Sequence, residues 1–121
     1  MPAVSETIDI NAPIEKVFRL VAHMPERMPE WWRPMELHQR VTPAPTSLGS
    51  ISRYVYNMVG IRIKGEHHVI TYEENRRLIV HTISGLESSF SFEFQAVTGF
   101  RTRLTIRVEY QLPGAIIGKL I

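Results

Sequence analysis

Two stretches near the end of the chain leave it the least freedom. "SSFSFEFQAV" (88–97) alternates Phe90, Phe92, Phe94 and Ala96 with Ser91, Glu93 and Gln95. "RTRLTIRVEYQL" (101–112) alternates Leu104, Ile106, Val108, Tyr110 and Leu112 with Arg103, Thr105, Arg107, Glu109 and Gln111. A period of two is the pattern of a half-buried strand, because successive side chains point to opposite faces. The short "TGF" between the runs cannot cross over a sheet, so the strands must be antiparallel neighbours. A chain built on this pair needs a sheet with one dry face, one wet face and something to cover the dry one.

The rest of the sequence supplies more strands and few covers. "AVSETIDI" (3–10) sets Val4, Glu6, Ile8 and Ile10 against Ser5, Thr7 and Asp9, a first strand with one mainly apolar face. "NAPIEKVFRLVAH" follows, with Pro13 in the first turn, Glu15 near the positive end of the helix dipole, and Ile14, Val17, Phe18 and Val21 on one stripe. This predicts a short amphipathic helix. "MPERMPEWWRPM" has prolines at 25, 29 and 34, which breaks any continuous helix into a turn or two that bring Trp31 and Trp32 inward. From Met35 the period is two again. "MELHQRV", "ISRYVYNMVG", "IRIKGEHHVITYE" and "LIVHTISG" read as strands separated by a Pro/Gly loop and tight turns, with Gly65 a candidate bulge. The expected order is strand, two short helices and about six more strands in an antiparallel meander, an α+β chain.

Size and charge narrow the class. The 121 residues suit one domain, 1–121. Lys and Arg number 14 against 12 Asp and Glu, so no general field draws nucleic acid or an anionic membrane. Without cysteine there is no disulfide framework, zinc ribbon or thiol nucleophile. The opening "MPAVSETIDINAP" lacks a signal-peptide pattern, and no apolar run reaches the ~18 residues of a membrane span. The expectation is a cytoplasmic protein with no integral membrane segment.

The blocks "INAPIEKVFRLVA" (10–22), "PEWW" (29–32), "HHVITYEENRRLIVHTISG" (67–85) and "GFRTRLTIRVEYQLPGAIIGKL" (99–120) resemble, in order and spacing, the SRPBCC superfamily of START and Bet v 1-like proteins. The likeness is strongest to its polyketide cyclase/dehydrase-like branch. It implies the helix-grip fold, a curved antiparallel sheet of about seven strands around a long C-terminal helix, with a cavity between them for a small hydrophobic or amphipathic ligand. "LPGAIIGKLI" matches the start of that helix, with Ile116, Ile117, Leu120 and Ile121 on one stripe, and then the sequence given stops. The expectation is therefore a truncated C-terminal helix over Ala115 to Ile121 and a groove left open or covered by a second copy in a homo-oligomer.

Parity selects the candidate site. If Ile61, Ile63 and Val69 face the core, His67 faces it too and His68 faces out, unless a bulge shifts the register. His67 is the candidate catalytic base or ligand donor, or else a histidine paired within the sheet. Tyr54 and Tyr56 share one face of their strand and Arg53 the other, and the sequence leaves open which is inner. Trp31 and Trp32 either cap the core, one inserted and one at the rim, or stack on a ligand. Phe90, Phe92 and Phe94 form either core or an apolar cavity wall. Tyr110 ends the last strand on its apolar face. Arg101, Arg103 and Arg107 belong to the outer face, for cross-strand pairing with Glu93 or Glu109. His23, His38 and His81 have no metal-ligand spacing, and no nucleotide fingerprint or catalytic Ser-His-Asp series is present, so neither metal nor cofactor is expected. The leading function is a small hydrophobic ligand-binding protein. The alternatives are a polyketide cyclase, aromatase or dehydratase using the same cavity, and an interaction module using an exposed apolar C-terminus.

Overall fold

The segments 88–98 and 101–110 form β6 and β7, hydrogen-bonded neighbours in a computed structural model that describes residues 3–111 and Gly114. Around them lie β1 (Ala3–Ile10), β2 (Met35–Arg40), β3 (Ile51–Met58), β4 (Ile61–Glu73) and β5 (Arg77–Ser84). The seven strands make one antiparallel sheet in the order β1-β7-β6-β5-β4-β3-β2. Every hairpin pairs with its sequence neighbour, and only β1 travels, crossing to the far edge beside β7. The short helices explain why: β1 runs directly into them, and the chain resumes at β2 on the opposite edge. The expected C-terminal helix, 115–121, lies outside the described residues.

The helical connection is short and broken where the prolines stand. α1 (Ile14–Phe18) passes into a π-helical turn (Arg19–His23), a single 3-10 turn (Pro25–Arg27) and α2 (Met28–Trp31). Val17, Phe18, Val21, Ala22 and Met28 are buried against the inner face of the sheet. Phe18 meets Phe94 with ring centroids 5.0 Å apart at 68°, the edge-to-face arrangement that aromatic quadrupoles favour.

The inner face collects Tyr54, Tyr56, His67, Val69, Leu78, Val80, Phe90, Phe92, Phe94, Leu104, Ile106 and Val108, all buried. The open question about β3 is thereby answered: the tyrosines face in and Arg53 is exposed. The outer face is wet and ion-paired. Asp9 receives Arg103 at 2.9 Å and Arg101 at 3.3 Å, and Arg103 holds its carboxyl below the usual range. The expected partners differ: Glu93 takes Arg77 from the next strand, and Arg107 reaches Glu109 two residues along its own strand.

Gly65 is not a bulge. It pairs in register with Tyr54, and a Cβ added there would meet the Tyr54 hydroxyl oxygen at 2.6 Å, so the missing side chain is room for the tyrosine ring. The register breaks come elsewhere in the β4–β5 pair, between Glu66 and His67 and between Val69 and Thr71. Because His67 and Val69 keep a two-residue spacing in β4, both remain on the inner face.

Candidate functional site

The helical connection covers only part of the inner face. Three aromatic contacts set its boundary: Phe18 on Phe94, Trp31 on Phe92 with centroids 6.1 Å apart, and Trp32 on Phe90 at 5.6 Å. The two tryptophans do not divide into one inserted and one rim residue; both are half-buried and both reach the phenylalanine row. Backbone conformation permits this. Trp31 ends α2 while Trp32 is already extended, with φ −125° and ψ 91°, so the usual angular separation of helical neighbours is lost.

Past Trp32 the apolar face is uncovered by other described residues. A cavity of about 160 Å³ is bounded by Trp32, Tyr56, Met58, Phe90, Val108 and Tyr110, and its surface is almost wholly apolar. A second, of about 170 Å³, runs along β1 between Ile8, Ile10, Leu104, Ile106 and the tryptophans. Trp32 lines both, making a two-part furrow. Val4 and Ile8 on its edge are 46% and 44% exposed, much for apolar residues on the inner face. Glu6 lines the second part as well, a charge on the inner side of an edge strand.

Two buried polar atoms belong to residues of this furrow and have no hydrogen-bond partner among the described residues: Tyr56 Oη and Trp31 Nε1. Native interiors rarely leave such groups unpaired. Tyr54 shows the usual solution. Its ring lies 4.9 Å from that of Tyr56, yet its hydroxyl donates toward the Ser84 carbonyl at 2.8 Å and the Leu86 carbonyl at 3.2 Å. Burial pushes the Tyr56 phenol well above its ordinary pKa, so it keeps its proton and remains a donor.

On the other side of Phe90 is a smaller, more polar chamber of about 40 Å³, lined by His38, Thr46, Ser50, Ser52, His67 and neighbouring apolar groups. His67 is 6% exposed, stacked on Tyr54 with centroids 5.3 Å apart at 15° and set 4.9 Å from His38. Burial, with a smaller contribution from His38, pushes its pKa down to about 3. His38 is 7% exposed and lowered to about 4 by burial, against the opposing effect of the Pro25 carbonyl. Both rings are neutral near pH 7.

The candidates therefore divide. Trp31, Trp32, Tyr56, Phe90 and Tyr110 line the furrow; Phe90, Phe92 and His67 line the chamber. Tyr54 is fully buried as the support beneath His67, and Phe94 packs under Phe18. His38 is the residue that sequence reading passed over. Its signal was weak: a histidine in an alternating strand whose partner carbonyl, at Pro25, becomes visible only when the chain folds back. Among the described residues no three His, Cys, Asp or Glu side chains gather in a way that could hold a metal ion, and no helix is long and apolar enough to cross a membrane.

Solved structures share this architecture. A START superfamily protein from Mycobacterium smegmatis superposes with a TM-score of 0.75 at 19% identity, over 98% of this chain and 85% of that one. The Zhui aromatase/cyclase from Streptomyces sp. R1128 gives 0.74 at 13% identity, over 94% and 71% of the two chains. The major latex-like protein 151 of Panax ginseng gives 0.71 at 13%, over 98% and 89%. At these identities the likeness is one of fold. No significant match to a curated protein was found. With residues 1–121 all matched, the chain belongs to the family described as polyketide cyclase / dehydrase and lipid transport.

Proposed function

We propose that this protein binds a small apolar or amphipathic molecule in the furrow divided by Trp32. The observation that carries the reading is the pairing of an apolar surface left uncovered by the described residues with two buried polar atoms that have no partner among them, Tyr56 Oη and Trp31 Nε1. Apolar walls provide affinity at roughly 25 cal/mol per Å² removed from water, and a few fixed polar groups set orientation. A ligand oxygen in reach of Tyr56 would supply the partner its hydroxyl lacks.

The test is binding of the fluorescent probe 1-anilinonaphthalene-8-sulfonate (ANS), with native mass spectrometry for a co-purified compound. Binding that Trp32→Ala and Tyr110→Ala each weaken supports the reading. A protein that binds no probe and retains no compound defeats it. Size-exclusion chromatography at two concentrations tests the further proposal that a second copy covers the furrow; a concentration-independent monomer refutes it.

A cyclase or dehydratase is the second reading. The pair His38 and His67 beside Tyr54 is the feature behind it, two imidazoles with ring centroids 4.9 Å apart in one chamber. Turnover of a retained compound, lost in His67→Ala, supports an enzyme. A retained compound that never changes argues for a binding protein.

A further inference from the structure

His38 Nδ1 lies 2.7 Å from the Pro25 carbonyl oxygen. A carbonyl can only accept, so Nδ1 carries the proton and donates it. In a neutral ring the other nitrogen, Nε2, is then a bare acceptor. It is buried and has no partner among the described residues. The ring is fixed from both sides, by Pro25 through Nδ1 and by His67 with centroids 4.9 Å away, so Nε2 cannot turn to solvent without giving up the Pro25 bond.

The surrounding hydroxyls complete a defined pattern. Thr46 Oγ1 accepts from Arg40 at 2.9 Å, which leaves its own proton free to donate. Ser52, opposite His67 in register, also lines the chamber. The chamber is thus lined by the ring that carries this fixed acceptor and by rotatable hydroxyls. At about 40 Å³ it has room for two or three waters, or for one hydroxymethyl-sized group. Phe90 lines both this chamber and the furrow.

We propose that the chamber is a hydroxyl-specific subsite: an alcohol or phenol group donates to His38 Nε2 and accepts from Thr46 or Ser52, with the apolar body of the ligand held past Phe90 in the furrow. The proposal rests on the ligand-binding reading above and adds the chemical class. An ether, ketone or carboxylate end has no proton for Nε2 and leaves it unpaired, so such compounds are rejected relative to the alcohol.

The experiment is displacement of ANS by 1-decanol and by decyl methyl ether, with long-range ¹⁵N NMR of the histidine rings in the wild-type chain. The expected result is binding of the alcohol about tenfold tighter than the ether, the value of one hydrogen bond. It includes an upfield movement of the His38 Nε2 resonance with the alcohol alone. In His38→Phe the two compounds should bind alike. The NMR arm uses unaltered protein, so it decides the matter even if that variant fails to fold. Equal displacement by the two compounds with an unmoved Nε2 resonance means that the chamber holds water only; it overturns the subsite and leaves the furrow reading intact. Failure of ANS and both decyl compounds to bind overturns both.

Discussion

The inner face has a sealed end and an open end, and two neighbouring tyrosines of β3 show the same contrast in their hydroxyls. Beneath α1, Phe18 and Phe94 pack edge to face with neither ring exposed, and on β3 the fully buried Tyr54 likewise has its needs met, its hydroxyl hydrogen-bonded to two carbonyls. Beyond Trp32 the same kind of surface meets a cavity, and Tyr56 is buried with its hydroxyl unpaired among the described residues. Both ends are built from alternating strands of similar composition. What separates them is the reach of a helical segment interrupted by prolines. On the proposed reading the sealed end serves stability and the open end a ligand, so substitutions in the two should have different consequences.

The largest effect is expected at the sealed end. Phe18→Ala should lower unfolding free energy by about 3–5 kcal/mol in urea melts, while Trp32→Ala should lower it much less and weaken probe binding more. An equal stability loss in both variants would abolish the distinction.

Acid should act through the histidine chamber. In the folded state His38 lies near 4 and His67 near 3, against an ordinary 6.5 in the unfolded chain. The unfolded chain therefore takes up protons that the folded chain refuses as pH falls below 6.5. Stability is fully present above that value and declines toward pH 4 and 3, with a slope of up to about 1.4 kcal/mol per pH unit for each ring. Glu26 and Arg40 act on His38 in opposite directions, so Arg40→Gln should ease its protonation. Denaturant melts between pH 7 and 4.5 check the slope; a flat profile refutes it.

At the support beneath His67, Gly65→Ala should cost about 1–3 kcal/mol, because the new methyl meets both the Tyr54 hydroxyl and the Ser84 backbone. The tyrosines give the finest comparison. Tyr54→Phe deletes a hydroxyl bonded to two carbonyls and should cost about 1–2 kcal/mol, whereas Tyr56→Phe should change unliganded stability by under about 0.5 kcal/mol and show itself only in ligand binding. A smaller gain is expected at the β3–β4 turn beside the open end. Val59 and Gly60 both have positive φ, 53° and 82°, a backbone that suits Asn-Gly and not a β-branched residue. Val59→Asn should raise thermal stability by about 1 kcal/mol.

Much of the fold was legible in the sequence. Period-two alternation over 88–112 required an antiparallel pair, short turns extended it to a meander, and prolines 25, 29 and 34 broke the helical segment where the structure breaks it. Less of the site could be read. Parity placed His67 and the phenylalanine row on the inner face and left open whether the row is core or cavity wall. It could not separate Phe94, under a helix, from Phe90, beside a cavity, because both occupy the same phase of one strand.

Local pattern is carried by residues a few positions apart, so the sequence by itself determined which side chains face in and where the chain turns. The tertiary structure decided the rest: that Trp31 and Trp32 both reach the row, that Gly65 makes room for Tyr54, and that Pro25 fixes the tautomer of His38. Each depends on contacts between segments distant in the chain. Hydrogen-bond satisfaction in particular is a property of the assembled interior, and so neighbouring tyrosines of identical phase end with one hydroxyl paired and the other without a partner among the described residues.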